Sequence, residues 1–179
     1  PLISAEHREK VAAYVDKAHE QGAKILTGGR AATSEDSNGQ HGTGTTDLGA
    51  GVYYLPTIID GATREMDCVH DEAFGPTVTI ETFTTEEEAI AIANDTEYGL
   101  AGAVYTSDAG RAERVARALR HGTIWINDFH PYLPQAEWGG FKQSGNGREL
   151  GPTGLAEYQE HKHVYQNLSP AAWDQFGLQ

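Results

Sequence analysis

The sequence has little cysteine, little positive charge and no long apolar run. Its 179 residues include one cysteine, and 13 basic residues stand against 26 acidic ones, for a formal net charge of −13. One cysteine cannot form an internal disulfide, which favours a reducing compartment such as the cytoplasm. The acidic balance argues against nucleic-acid or anionic-membrane partners, because both bind basic surfaces. No apolar run approaches the roughly 18 residues of a membrane-spanning helix.

Two phosphate-binding patterns are missing from the most glycine-rich part of the chain. Gly140 and Gly145 have the outer spacing of a Walker loop, but Asn146 and Gly147 follow where Lys and Ser or Thr are required. The same glycines begin a dinucleotide fingerprint, but Leu150 takes its third glycine position and no apolar strand precedes them. Neither phosphate-loop class of protein is therefore predicted.

Signals for a metal site or a serine hydrolase are also lacking. His161 and His163 would share one face of a strand, but no carboxylate or cysteine lies at zinc-ligand spacing around them. No Gly-x-Ser-x-Gly elbow occurs, so a Ser-His-Asp triad has no nucleophile turn. We predict no metal ligands and no triad in this chain.

The apolar pattern that is present predicts alternating helices and strands. Helical spacing follows a cap at Ser4, and Thr85 with Glu88 forms a capping box. Further helices are predicted over 112–119 and 154–160, and strands over 25–26, 52–59, 76–83, 100–106, 123–126 and 161–165. Residues 30–51, rich in polar residues and glycine, predict a mobile loop. Alternating helices and strands are typical of an α/β fold.

The most informative stretch runs from Trp138 to Leu150 and contains four glycines, two aromatic residues, two cations and a carboxylate. Glycine is used where the backbone needs positive φ or close approach, so this spacing predicts a chain folded tightly around something. A plain surface loop is the alternative for a glycine cluster taken alone. Together with Gln135-Ala136, Gly151, Gly154-Leu155 and Tyr158, the stretch resembles the C-terminal catalytic segment of NAD(P)-dependent aldehyde dehydrogenases.

A second motif, at 71–76, independently resembles the same family. Asp71-Glu72-Ala73-Phe74-Gly75-Pro76 is similar to the family's acidic-Glu-x-Phe-Gly-Pro motif. The resemblance implies that Glu72 binds the hydroxyls of the nicotinamide ribose and that Phe74 packs beside the ring. A carboxylate suits this role because it can accept two charge-assisted hydrogen bonds from a vicinal diol. For six residues alone, a capping or solvated Glu72 and a core Phe74 would be the simpler interpretation.

The resemblance also implies an architecture and partners. Residues 1–160 would form the C-terminal portion of the aldehyde dehydrogenase catalytic domain, a three-layer open twisted sheet with flanking helices, and 161–179 an oligomerisation strand and tail. The cofactor would be NAD or NADP, the substrate a small aldehyde, and the assembly a homo-oligomer, either dimer or tetramer. Because the chain opens on Pro1 and its only methionine is Met66, we expect a portion of a longer polypeptide.

Carried onto this sequence, the resemblance places Tyr132 and Trp138 in the aldehyde tunnel and Glu149 on a proton route. With Trp138 in this position, the sequence resembles the branch of the family that oxidises betaine aldehyde. Aromatic faces attract a quaternary ammonium through cation–π contact. Asp128 is an acidic residue near that pocket and could assist a cation. Trp138 as a packing anchor, and Glu149 paired with Arg148 or a backbone donor, remain the alternatives.

The reaction's central groups are absent from this chain. Aldehyde oxidation in the family needs a thiolate, an oxyanion donor and a Glu base, all of which the resemblance places upstream. Cys68 lies among Asp67, Asp71 and Glu72, where negative charge raises a thiol pKa, so we interpret it as structural. We expect part of a dehydrogenase of betaine aldehyde, or of an aminoaldehyde or semialdehyde, and an inactive isolated chain. An inert oligomerisation fragment is the other class of function.

Overall fold

The computed structural model describes residues 1–38 and 47–168. They form two compact units, the first within Pro1–Glu97 and the second beginning at Tyr98. Both units combine helices with β-strands, and the α/β prediction is confirmed. The assignment of 1–160 to a single catalytic domain stays a prediction. No helix in the described ranges has the length and apolar character needed to cross a membrane.

The first unit packs helices against a three-stranded sheet. Its elements are α1 (Ala5–Glu20), β1 (Lys24–Thr27), β2 (Thr57–Asp60), α2 (Asp67–His70), β3 (Thr77–Ile80) and α3 (Glu86–Asn94). The strand order is β1-β2-β3, with β1 antiparallel and β3 parallel to the central strand. The core lies between α1 and the sheet and is built from Val11, Val15, Ala18, Ala23, Tyr54, Ile59, Met66 and Cys68.

Both predicted helix caps are confirmed. The Ser4 hydroxyl accepts a hydrogen bond from the His7 N–H at 3.1 Å at the start of α1. Thr85 Oγ1 accepts from the Glu88 N–H at 3.1 Å, while the Glu88 carboxylate accepts from the Thr84 N–H at 2.7 Å. The Ser4 and Thr85 hydroxyls each satisfy an amide that the first turn of a helix leaves unpaired, and the Glu88 carboxylate satisfies the amide just before the cap.

The second unit is built on a strand–helix–strand repeat. Its elements are β4 (Ala101–Val104), α4 (Ala109–Ala118), β5 (Thr123–Ile126) and α5 (Gly151–Ala156), with a short 3-10 turn at Lys142–Ser144. β4 and β5 pair in parallel over four residues, as a helical crossover between them allows. The loop from 127 to 150 therefore starts at the carboxyl end of β5, beside the carboxyl end of β4.

Several predicted boundaries were wrong. The strand predicted over 52–59 is β2, which starts only at Thr57, because Pro56 has no N–H to donate to a ladder. Tyr54 forms only an isolated bridge with Ala31. The helix predicted over 154–160 is α5, which spans Gly151–Ala156. The four-residue α2 is too short to show a period in the sequence.

The predicted strand at 161–165 finds no partner among the described residues. Residues 161–168 have no helix or strand, and Val164, Tyr165 and Leu168 are all more than three-quarters exposed. A strand needs a hydrogen-bonded neighbour, so its pairing with a second subunit stays a prediction. Residues 169–179 of the predicted tail lie outside the described ranges.

The polar loop predicted over 30–51 contains local order on both sides of the part that is not described. Arg30 donates two hydrogen bonds to Asp36 at 2.8 Å, and the Thr33 N–H donates to the same carboxylate. The Arg30 guanidinium and this amide hold the pKa of Asp36 far below its ordinary value. Short 3-10 turns occur at Ser34–Asn38 and Leu48–Ala50, and the predicted mobility of residues 39–46 falls outside the described ranges.

Candidate functional site

Five aromatic side chains form one contact group at the end of β5, which we call the aromatic cluster. Its members are Trp125, Phe129, His130, Tyr132 and Trp138. Trp125 is 8% exposed, and its ring stacks on Trp138 with centroids 6.0 Å apart and an interplanar angle of 28°. Tyr132 meets Trp138 edge-on at 4.6 Å and remains 48% exposed. Tyr132 and Trp138, predicted from the resemblance, are thus in direct contact.

The backbone after β5 turns sharply to bring these rings together. Asn127 and His130 adopt φ values of 53° and 75°, a left-handed conformation in which Asn and His are enriched among non-glycine residues. The Asn127 side-chain amide accepts from the Thr106 N–H and donates to the Thr106 carbonyl, at 2.8 and 2.9 Å. Trp125 Nε1 donates to the Pro131 carbonyl at 3.3 Å. The loop is therefore attached to the ends of both strands.

Three members of the cluster are missing from the sequence prediction. Trp125 is predicted there only as part of a buried strand, and Phe129 and His130 are not singled out. Their ring contacts depend on the turn through His130. Hydrophobic periodicity in the sequence does not predict such a turn. The aromatic run from Trp125 to Tyr132 is the signal that could have found them.

Asp128 lies next to the aromatic cluster but uses its carboxylate locally. Its Oδ1 accepts a hydrogen bond from the Phe129 N–H at 2.7 Å, and the residue is exposed. This is an Asx-type contact that stabilises the turn. A carboxylate has further lone pairs, so Asp128 retains acceptor capacity for a cation.

The glycine-rich stretch is folded tightly, as its spacing predicts. A Cβ at Gly122 would overlap the carbonyl oxygen of Gly139. A Cβ at Gly140 would lie 2.5 Å from the Cβ of Ser144. The Arg148 guanidinium donates to the carbonyls of Gly140 and Gly147 and lies 5.2 Å from the Phe141 ring centroid. Such a distance is within cation–π range. Arg148 therefore links the start and the end of the glycine-rich loop.

Glu149 is joined to Trp138 through the backbone. The two residues exchange N–H to carbonyl hydrogen bonds, both at 2.7 Å, which fixes the two ends of the glycine-rich loop side by side. The Glu149 carboxylate is exposed and has no hydrogen-bond or ion-pair partner among the described residues, so the alternative pairing with Arg148 is not formed. A cavity of about 340 Å³ is lined by Leu100, Trp138, Ser144, Arg148, Glu149 and Glu157, with intervening loop residues.

In the first unit, the 71–76 segment presents its two predicted site residues outward. Phe74 is 76% exposed and adopts φ 49°, where a bulky side chain costs roughly 1–3 kcal/mol. Glu72 is exposed, and its carboxylate has no hydrogen-bond or ion-pair partner among the described residues. Phe74 is therefore not a core residue and Glu72 caps no helix, whereas the solvated Glu72 of the same alternative is observed. The backbone is therefore strained at Phe74, and the Phe74 ring and the Glu72 carboxylate are both exposed for binding.

Cys68 is a buried residue of the first core and is 5% exposed. Burial, followed by the charge of Asp67, raises the pKa of its thiol, so the reactive thiolate is disfavoured. The structure thus supports a packing role for Cys68. Within the described ranges, no group of three or more His, Cys, Asp and Glu side chains is arranged to hold a metal ion.

Comparisons with known proteins agree with both motifs. The family model "Aldehyde dehydrogenase family" matches residues 1–164. Betaine aldehyde dehydrogenase of Bacillus subtilis is 55% identical over 98% of this chain and 34% of its own length. Aminoaldehyde dehydrogenase 2 of Pisum sativum is 43% identical over 97% of this chain and 32% of its own length. The chain thus spans about a third of the curated relatives it matches.

A solved structure shares the fold as well as the sequence. The crystal structure of betaine aldehyde dehydrogenase from Staphylococcus aureus in complex with NAD+ superposes with a TM-score of 0.87 at 49% identity. The match covers 98% of this chain and 33% of that one.

Proposed function

This chain belongs to the aldehyde dehydrogenase family, and on that premise we propose that it is part of an NAD(P)-dependent enzyme that oxidises betaine aldehyde to glycine betaine. In this role the aromatic cluster binds the trimethylammonium group, and the 71–76 segment binds the cofactor. The thiolate, the oxyanion donor and the general base come from outside the chain. The isolated 179 residues are therefore expected to turn over no aldehyde.

The contact between Tyr132 and Trp138 is the observation that carries the proposal. Their rings meet at 4.6 Å, Trp125 stacks behind Trp138, and neither Tyr132 nor Trp138 is fully buried. An aromatic surface that is held rigidly and left accessible suits a quaternary ammonium, which cannot donate hydrogen bonds and is attracted by ring faces. Each face contributes about 0.5–2 kcal/mol, depending on desolvation.

The 71–76 segment fits a nicotinamide dinucleotide. The unpartnered Glu72 carboxylate can accept two hydrogen bonds from the vicinal hydroxyls of a ribose, and the exposed Phe74 ring offers an apolar face to a flat heterocycle. When bound, NAD(P)+ supplies the acceptor for the hydride that leaves the aldehyde carbon. The binding partner of the similar Staphylococcus aureus protein favours NAD over NADP.

We assign Glu149 to proton movement behind the reacting centre. Its carboxylate lines the 340 Å³ cavity without a partner among the described residues, while Arg148 is occupied by loop carbonyls. The two backbone hydrogen bonds hold Glu149 beside Trp138, the residue that we propose contacts the substrate. We also propose a homo-oligomer assembled through 161–168 and a cytoplasmic location, the second from the single cysteine.

An aminoaldehyde is the second candidate substrate, and Asp128 favours it. A primary ammonium carries N–H donors, and Asp128 is an exposed carboxylate with lone pairs beyond the one used by Phe129. The pea relative is named for this class of substrate. The two candidates therefore differ in whether ring faces or a carboxylate dominates recognition.

The test compares two aldehydes in a polypeptide of the relatives' full length that contains this chain. We expect NAD-coupled kcat/KM to be at least several-fold higher for betaine aldehyde than for aminopropanal, and Asp128→Asn to change the betaine value little. A higher value for aminopropanal that falls in Asp128→Asn would replace the first candidate with the second. Absence of nicotinamide reduction with both aldehydes would overturn the dehydrogenase proposal.

A further inference from the structure

One face of α1 holds the 71–76 segment at several points. His7, Val11 and Tyr14 recur at helical spacing and so lie on the same face. The Tyr14 hydroxyl lies 2.8 Å from the Cys68 carbonyl oxygen and 3.0 Å from that of Asp71. The His7 ring lies 6.4 Å from the ring of Phe74, centroid to centroid.

Val11 provides the contact at the other end of the segment. A Cβ placed on Gly75 would lie 2.7 Å from Val11 Cγ2, so the backbone at Gly75 packs directly on this side chain. Val11 is 0% exposed, and its position is set by the core. The chain from Asp71 to Gly75 is therefore attached to α1 just before Glu72 and just after Phe74.

We propose that Tyr14 is a positioning residue for cofactor binding, acting through the Asp71 carbonyl to orient Glu72. The inference rests on the proposed role of Glu72. Glu72 follows Asp71 directly, so a hydrogen bond to the Asp71 carbonyl fixes the peptide plane from which Glu72 extends. Because the Glu72 carboxylate itself has no partner among the described residues, the backbone supplies its restraint.

The chemistry of the hydroxyl suits a permanent restraint. Burial first, and then the proximity of Cys68 and Asp71, raises the pKa of Tyr14 to about 12, so it remains a protonated donor over the working range of pH. The carbonyls that it reaches belong to the last turn and the C-cap of α2, which lack partners within so short a helix. The single hydroxyl proton is shared between the two carbonyls, so one side chain contacts both the end of α2 and the exit of the chain toward Glu72.

The sequence offers a matched control at Tyr54. Its side chain belongs to the same core, and its hydroxyl is buried with no hydrogen-bond partner among the described residues. Tyr14→Phe and Tyr54→Phe each remove one hydroxyl oxygen from residues that pack in this core, but only the first releases the Asp71 carbonyl. A general effect of losing a hydroxyl from this core would change both variants alike.

The experiment measures NAD+ affinity by titration, and KM values with kcat, in a polypeptide of full family length. We expect Tyr14→Phe to weaken NAD+ binding by about three- to tenfold, as for one ordinary hydrogen bond, with the aldehyde KM unchanged. Tyr54→Phe should leave NAD+ affinity at the wild-type value. Hydrogen exchange of the 72–75 amides should be faster in Tyr14→Phe alone.

A third variant separates this inference from the proposed function. Glu72→Gln should weaken NAD+ binding, and adding Tyr14→Phe to it should cause little further loss, because Tyr14 acts through Glu72. Unchanged affinity in Glu72→Gln would overturn the role of Glu72 itself. Weakened binding in Glu72→Gln with none in Tyr14→Phe, or equal losses in Tyr14→Phe and Tyr54→Phe, would overturn the positioning role alone.

Discussion

The 71–76 segment and the aromatic cluster hold their exposed side chains in different ways. In the segment, Glu72 and Phe74 project from the fold, and the restraint acts on the backbone through Tyr14 and Val11. In the cluster, the rings restrain one another, since Trp138 contacts both Tyr132 and Trp125. A carboxylate needs free lone pairs to bind a diol, whereas an aromatic face stays usable when its edge or back is packed.

This difference predicts how each region responds to mutation. Removing a ring from the cluster also removes a packing partner, so binding and local order should fall together. Removing the Glu72 carboxylate takes away no contact among the described residues, so binding should fall with stability unchanged.

The largest effect is expected at Gly122, whose backbone packs against Gly139 in the same unit as the aromatic cluster. A Cβ there would overlap the Gly139 carbonyl, so Gly122→Ala must displace the glycine-rich loop from β5. Overpacking of this kind costs roughly 1–3 kcal/mol and more where backbone must move. We expect a marked fall in the free energy of unfolding, measured by denaturant titration. Gly110→Ala, in the first turn of α4, is the control and should be close to neutral, because its Cβ would meet only the Asp108 Oδ1, at 3.3 Å.

A smaller effect, confined to the cofactor, is expected from Glu72→Gln. Loss of charge-assisted hydrogen bonds to the ribose should cost about 1–3 kcal/mol in NAD+ binding, measured by titration of the full-length polypeptide. Its free energy of unfolding should match the wild type. Glu87→Gln, a change of another exposed acid in the same unit, should leave NAD+ affinity unchanged. A destabilised Glu72→Gln variant with normal NAD+ affinity would make Glu72 a structural residue.

The sequence predicted the 71–76 segment better than the cluster for a physical reason. The segment is contiguous, so its motif is readable from six letters, although the exposure of Phe74 is not, because an aromatic residue taken alone favours the core. The cluster depends on the left-handed turn through His130 and on the stacking of Trp125 on Trp138, which are 13 positions apart in the chain. Such contacts are set by tertiary packing, and no local pattern encodes them.

The secondary-structure predictions show the same difference between local features, which were predicted, and features set by tertiary contacts, which were not. The caps at Ser4 and Thr85 were predictable because a cap is a local hydrogen bond. The start of β2 was not, because it depends on where Pro56 and the neighbouring strand allow a ladder to begin. The Tyr14 contact with Asp71 joins residues 57 positions apart, and the sequence alone gave only the helical spacing of Tyr14.

The smallest predicted effect is a pH dependence that belongs to the second unit. Burial, and then the charge of Lys142, lowers the pKa of His121 below its ordinary value of 6.5. The unfolded chain therefore binds a proton at a higher pH than the folded chain, so stability declines as pH falls below about 6.5 and levels off below the folded pKa. His121→Gln should flatten this decline in unfolding measurements between about pH 7 and 5. His163→Gln, at an exposed site, should preserve it.

The central claim is that the aromatic cluster recognises a cation, and one ratio tests it most directly. It is kcat/KM for betaine aldehyde divided by kcat/KM for the neutral aldehyde in which carbon replaces the quaternary nitrogen. In the full-length polypeptide, Trp138→Ala should lower this ratio several-fold, or by about 1 kcal/mol, because only the cation uses the ring's negative face. Trp138→Phe should retain most of it, and Glu72→Gln should leave it unchanged. Equal losses for both aldehydes in Trp138→Ala would contradict the account and leave Trp138 a packing residue.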